Sequence, residues 1–572
     1  MLPAGIRDMN TTGAIFTYLQ KRFVPGLAAV TVRSVSLCAA AAILAFTVLL
    51  IPASASAAAW TWNSAGSGSP VDGGGTWNSS GTNTVWWDGA TNRAWVNTNL
   101  AYFGNGGTAG TVTLGINPTV TGLVFNALSG AGNAYTIGNV PGNGTITLTP
   151  SAYIIVSSTA TSVINSAISN TGSNYVKGTG NLSIAGSITV GNFQYLGAAT
   201  PGDYSLGSGT LQLSSNVTTT SGEFNCDQGT MSLVGNANVN AQGSVRIGFF
   251  LGTTTGGWLD SGYGVLNIKD NAVLTVTNGI FVVGNGPGSA GVFGNFGGVG
   301  TVNQSGGTLF VVSNQRVAIG NNGKSGEVNS YNLSGGLLSY GGTNFDLGYA
   351  SQLTGVMNIS GGTATLYVVT IGGRSISAYL PAGILNLSGG LLQLGAGGLN
   401  TASGLYTVNL GGGALAASNS WASSLNMNLT NSSSYTTFDT RTNTITLSGT
   451  LSGIGGLTKD GAGSLILTGP NTYTGTTTIN AGTISWTIAD AIPDNTSLVI
   501  ANGATGDLSF VESTYAKVSS LTLGGTNVPA GLYGAVNYPS YLTGTGYIGV
   551  NTPDILWGFK LNGTNYILVQ EQ

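Results

Sequence analysis

The chain has 572 residues, of which 94 are glycine and only 6 % are charged; it holds two cysteines and no histidine. Low charge combined with 42 % hydrophobic residues excludes ordinary disorder, and glycine without a strict three-residue period excludes collagen. The missing histidine excludes Ser–His–Asp and Cys–His catalysis and His-ligated metal sites, which leaves an all-β repeat protein rich in turns and β-branched residues.

At the N-terminus, Lys21, Arg22 and Arg33 precede an apolar run from Val35 to Ile51, followed by Pro52 and the small residues Ala53 to Ala59. This is the pattern of a secretory signal peptide over residues 1–59, a signal helix cut near Ala57 or Ala59. The run also reaches the short end of a spanning helix, about 17 residues, so a retained anchor is the alternative. Removal of the leader leaves 11 basic and 17 acidic residues, a net charge of −6. Such a sparse acidic surface argues against nucleic acid as a partner. Cys38 falls within the leader, so Cys226 stands alone and no intrachain disulfide is available.

Residues 60–126 open with six of the ten tryptophans: Trp60, Trp62, Trp77, Trp86, Trp87 and Trp95. Two readings are open. They cover the exposed end of a stack of strands, as solenoids require, or they form an aromatic platform for sugar rings.

Residues 127–425 carry an internal repeat. Leu266-Asn267-Ile268, Val302-Asn303-Gln304, Tyr331-Asn332-Leu333, Met357-Asn358-Ile359 and Leu385-Asn386-Leu387 recur at steps of 36, 29, 26 and 28. A second arm recurs as Val245-Arg246-Ile247-Gly248, Val317-Ala318-Ile319-Gly320, Phe345-Asp346-Leu347-Gly348 and Val369-Thr370-Ile371-Gly372. Each unit thus reads as two apolar strands ending at glycine turns, with insertions in the turns at 284–300 and 375–383. In stacked coils equivalent residues lie about 4.8 Å apart, so the recurring asparagines either hydrogen-bond as a ladder or are ordinary turn and surface residues. With about 22–28 residues per coil, the exported chain makes about 20 coils and a rod of about 100 Å.

Within residues 426–550 the densest motif runs from Gly456 to Ile484. Leu465 and Leu467 sit at strand spacing; Gly461 and Gly463 mark the turn before them, Gly469-Pro470-Asn471 the turn after. Two further short strands follow Tyr473 and Gly475 and begin at Gly482. A shorter copy, Val176 to Gly186, lines up with Thr458 to Gly469. The segment resembles the passenger-associated transport repeat, also called the autotransporter-associated β-strand repeat. Its motif residues here are Gly456, Leu457, Lys459, Gly461, Gly463, Leu465, Leu467, Gly469, Asn471, Tyr473, Gly475 and Gly482. The resemblance implies a secreted right-handed parallel β-helix passenger, exported through the inner membrane to the cell surface or medium with the help of outer-membrane export machinery. The passengers of this family are usually followed by a membrane barrel. Only about 70 residues follow Ser497, too few for one, so another protein is expected to export the chain, or it stays in the periplasm. Residues 551–572 read as a final strand pair.

The acids are scattered. Asp260 and Asp270 straddle Lys269, Asp88 lies near Arg93, and Asp72, Asp203, Asp227, Asp439 and Asp507 look like turn residues. No cofactor and no catalytic or metal site is expected. The leading expectation is a non-enzymatic structural or adhesive surface protein, its partners being surface glycans or other copies of itself. The alternative is a carbohydrate-binding or carbohydrate-active β-helix, which needs two carboxylates within about 10 Å beside exposed aromatics such as Trp258 or Trp421.

Overall fold

The computed structural model describes residues 57–570 apart from 131, 198–208, 250–261, 286–297, 313, 323–325, 351–352, 374–379, 495, 512–514, 552–555 and 562–564. The leader up to residue 56, Asp203, Trp258, Asp260 and parts of the two expected turn insertions therefore lie outside the described residues. Those described belong to one compact unit beginning at Ala57.

One coil shows how the sequence makes the fold. Tyr263–Ile268, Val273–Val276 and Phe281–Asn285 are three short strands separated by tight turns. The next coil lies directly on it, parallel and in register: Leu266 beside Val302, Leu274 beside Leu309, Val283 beside Ile319. Alternation along each strand buries Leu266 and Ile268 while Asn267 between them stays half-exposed. Every coil therefore presents three faces, and its inward residues form columns down the stack. Each fully buried aliphatic side chain in such a column contributes about 1.5–3 kcal/mol relative to exposure. The molecule is a parallel β-solenoid.

The two-strand unit expected from the repeat is corrected to three. The missed strand follows the Gly-Gly turn so closely that the chain often runs through as one long strand, as in Val299–Val311 and Val328–Tyr340. These long strands bend round a corner and belong to two faces at once. That continuity joins 43 of the described strands into a single hydrogen-bonded network.

Antiparallel pairing is confined to the ends of the described stack. Ala59–Trp62 pairs with Trp86–Trp87, and the latter with Asn92–Arg93. Near the other end, Tyr515–Leu523 pairs with Thr526–Asn527, and Gly531–Tyr533 with Tyr547–Val550. Leu556–Leu561 and Asn565–Gln570 form an antiparallel pair of their own. At the N-terminal end, Trp60, Trp62, Trp77, Trp86 and Trp95 are all buried, packed edge-on or tilted against one another and against Phe103. Rings held this way have no face free for a sugar, so the first coils use them as a plug; Trp87 alone is half-exposed. Asp72 braces this end by accepting from the Tyr135 hydroxyl at 2.6 Å, the Asn105 N–H at 2.8 Å and the Gly107 N–H at 2.7 Å.

Candidate functional site

The motif residues singled out in the sequence converge on two adjoining faces of neighbouring coils. Leu457–Asp460 lies on the second face between Thr436–Asp439 and Thr477–Ile479. Ser464–Leu467 lies on the third, between Thr444–Leu447 and Thr483–Trp486. Leu457, Leu465 and Leu467 all point inward and are fully buried.

Lys459 also points inward. It occupies the column position between Phe438 and Ile479, where the other coils hold apolar residues, and is 0 % exposed. Its ammonium reaches the corner and donates to the carbonyl oxygens of Asp460 at 2.9 Å, Gly461 at 2.7 Å and Ala481 at 3.0 Å. Three acceptors match the three N–H bonds of a lysine. Burial pulls its pKa down to about 8, against the opposing pull of Asp460 and Asp439. The lysine thus ties the corner of its own coil to the corner of the next.

The motif glycines make that corner possible. Gly461 and Gly482 adopt φ of +81° and +65°, the left-handed region that other residues rarely enter. A Cβ on Gly482 would stand 2.4 Å from the carbonyl oxygens of Gly461 and Gly463, and one on Gly463 would stand 1.9 Å from the carbonyl of Asn443. Gly456, Gly469 and Gly475 likewise lie flush against backbone of an adjacent coil.

Asn471 spans three coils. Its Oδ1 accepts from the Leu451 N–H at 2.8 Å, and its Nδ2 donates to the Ala491 carbonyl at 2.7 Å. Tyr473, buried beside it, shares a 2.6 Å hydrogen bond with Thr477. All twelve motif residues therefore serve the stack: they fill it, corner it or bridge its coils, and the polar groups of Lys459, Asn471 and Tyr473 are engaged internally.

The shorter copy at Val176–Gly186 is not equivalent in space. Its first strand, Ser173–Lys177, lies on the third face and its second, Asn181–Ile184, on the first, one face out of step with Leu457–Asp460 and Ser464–Leu467. Lys177 accordingly points outward, half-exposed, its ammonium 5.0 Å from the ring centre of Tyr175.

The recurring asparagines form a ladder. Asn303 donates to Asn267 at 3.1 Å, Asn332 to Asn303 at 2.9 Å, Asn358 to Asn332 at 2.7 Å and Asn386 to Asn358 at 2.7 Å. It continues through Asn409 at 2.8 Å and Asn428 at 3.3 Å, and Asn267 begins it by donating to Ser232 at 3.1 Å. The sequence reading missed Asn409 and Asn428, although Val408-Asn409-Leu410 and Met427-Asn428-Leu429 carry the same apolar–Asn–apolar signature.

The acids need correction. Asp227 is no turn residue: it lies inside the strand Phe224–Leu233, at a bulge opposite Tyr195 and Leu196, and is 1 % exposed. Burial, reinforced by Glu223, pushes its carboxyl well above the usual range, with Arg246 opposing. Arg246 itself pairs with Glu223. Asp507 lies in a strand and accepts from the hydroxyls of Ser485 and Ser509. Asp439 does behave as a turn former, accepting from the Arg441 N–H. Asp88 pairs with Arg93, whose hydrogen bond holds the carboxyl at about 2. Trp421, expected to be exposed, is buried against the backbone of Gly398.

Fold and motif together define a parallel β-solenoid with a corner unit built for coil-on-coil stacking. Residues 457–485 match the family model described as the Passenger-associated-transport-repeat, so the chain carries that repeat over this segment. A 144-residue stretch is 32 % identical to the Adhesin BmaC autotransporter of Brucella suis biovar 1 (strain 1330); the match covers 24 % of this chain and 4 % of that protein.

Proposed function

We propose that the chain is an exported, non-enzymatic passenger-type protein that serves adhesion or structure at the cell surface, its transport repeat promoting export. The observation that carries this reading is the use to which the repeat's polar groups are put. Lys459 and Asn471, the two that a binding site would present, are turned inward to join consecutive coils. A stack whose coils each template the next can fold as it emerges, which suits passage in an extended state. The similarity to an adhesin autotransporter supports the adhesive part, as does the pattern of half-exposed Thr, Ser and Asn alternating with buried aliphatics.

Expressing the whole chain, leader included, in its own bacterium or a Gram-negative host tests the reading. Added protease should remove it from intact cells, and purified protein should bind cells or a glycan array without releasing sugar products. Retention behind the outer membrane, or release of reducing ends from a polysaccharide panel, would overturn it.

A further inference from the structure

The strand Phe224–Leu233 carries one residue more than the strand it pairs with in the preceding coil. Cys226 lies opposite Tyr195 and Gln228 opposite Leu196, so Asp227 is the extra residue of a bulge. Alternation turns Cys226 inward and Asp227 outward; the shifted register then sets Gln228 beside Leu196, which also faces outward. An acid and an amide on successive residues therefore leave the same side of the sheet at one corner. Both are almost wholly buried, Asp227 at 1 % and Gln228 at 2 % exposure. Neither carboxyl oxygen of Asp227 and neither amide atom of Gln228 has a hydrogen-bond partner among the described residues. Buried polar atoms are otherwise paired, and a buried carboxylate needs a counter-charge. Arg246, on the adjoining coil beside Asn225, gives Asp227 no hydrogen bond: its guanidinium is bound to Glu223 and lies over the Phe249 ring. Glu223 is in turn held by Arg246 and by the Asn225 Nδ2 at 2.8 Å.

We propose that Asp227 and Gln228 hold a calcium ion, the carboxylate through both oxygens and the amide through its Oε1. The donors are all oxygen. Calcium accepts bidentate carboxylates together with amide and backbone carbonyls, whereas magnesium keeps a strict octahedron with several waters, which so buried a corner does not admit. A transition-metal site would need softer or more numerous ligands, and among the described residues no three Asp, Glu, Cys or His side chains come together. Backbone oxygen is also close. Gly262, in the next coil, lacks a Cβ that would stand 2.9 Å from the Asp227 carbonyl oxygen and 2.5 Å from that of Phe249, so peptide oxygens from two coils close on this corner. A single carboxylate among neutral ligands sets the affinity with that of extracellular calcium modules, a dissociation constant of about 0.1–1 mM. The ion would fasten the bulge to the coils around it. The proposal goes beyond the adhesive reading and does not rest on it; it can fail while export and surface display stand.

The exported chain, stripped with EDTA, is titrated with calcium chloride while its melt is followed by circular dichroism, and calcium is competed against terbium read by tyrosine-sensitised luminescence. Calcium should raise the melting temperature and displace terbium with a common midpoint of about 0.1–1 mM; magnesium at the same concentrations should do neither. Asp227→Asn should weaken calcium binding at least tenfold, and Asp490→Asn, at an exposed acid, should leave it unchanged. Gln228→Glu sets a second carboxylate beside the first and should tighten binding at least tenfold, which keeps the test decisive should Asp227→Asn fail to fold. A chain that binds no calcium, binding indifferent to Asp227→Asn, or binding weakened by Gln228→Glu would each overturn the proposal. So would a wild type that calcium leaves unchanged while Asp227→Asn melts higher, the mark of an acid buried in its neutral form.

Discussion

Replacing Lys459 by methionine keeps length and shape while removing the ammonium. The carbonyls of Gly461 and Ala481 would lose the lysine as donor; that of Asp460 would still accept from Thr440. Leaving a buried acceptor unsatisfied costs about 1–3 kcal/mol, so two carbonyls suggest about 2–6 kcal/mol. The methionine also removes the penalty of burying a charge, the penalty that draws the lysine down to about 8. The net expectation at pH 7 is a loss of about 2–4 kcal/mol. The sign with pH is fixed by linkage. The folded pKa lies below the ordinary 10.5, so between about 8 and 10.5 the unfolded chain holds the proton that the folded one releases. The wild-type contribution must then rise with pH across that window and be flat below it. Urea unfolding followed by circular dichroism and by limited proteolysis of residues 440–510, at pH 7 and pH 9.5, measures both. K459M should lower the midpoint at both pH values and lose this lysine-dependent rise. A midpoint raised at pH 7 would refute the corner-tie reasoning and show that the buried charge outweighs its hydrogen bonds.

Three other substitutions test separate parts of the stack. Asn471→Ala leaves the buried Leu451 N–H and Ala491 carbonyl without this partner; at about 1–3 kcal/mol each it should destabilise by about 2–5 kcal/mol and speed amide exchange at Leu451. Asn332→Ala breaks two rungs of the ladder and should cost about 1–2 kcal/mol, whereas Asn428→Ala, at the ladder's end, should cost less; the difference is read from urea midpoints. Trp86→Ala opens a cavity in the aromatic plug and should cost about 3–5 kcal/mol, with proteolysis beginning at the N-terminal coils.

Much of this architecture is legible in the chain because a solenoid repeats its solutions. The apolar–Asn–apolar triplets announce both the inward columns and the outward ladder, and glycines at fixed offsets announce the corners. What escaped was set by neighbours in the stack. Lys459 sits on a strand like any surface lysine, and only its register beside Phe438 and Ile479 turns it inward. The copy at Val176 matches in residue types, yet its strands fall one face away, because a turn-and-strand pattern carries no record of which corner it rounds. The third strand of each unit was hidden because Gly-Gly bends the chain without ending the strand. Asp227 was misplaced because a bulge has no signature in a run such as Cys226-Asp227-Gln228-Gly229.

The central claim is that successive coils stack parallel and in register, and paired cysteines test it most directly. Ser339 and Thr365 face outward side by side on adjacent coils, and Gln393 is the next rung beyond Thr365. One rung is about 4.8 Å, within disulfide reach, and two rungs are about 9.6 Å, outside it. In a Cys226→Ala background, Ser339→Cys with Thr365→Cys should oxidise to an intrachain disulfide, and Ser339→Cys with Gln393→Cys should not. The opposite pattern, or no disulfide in either protein, would contradict the stacked-coil account.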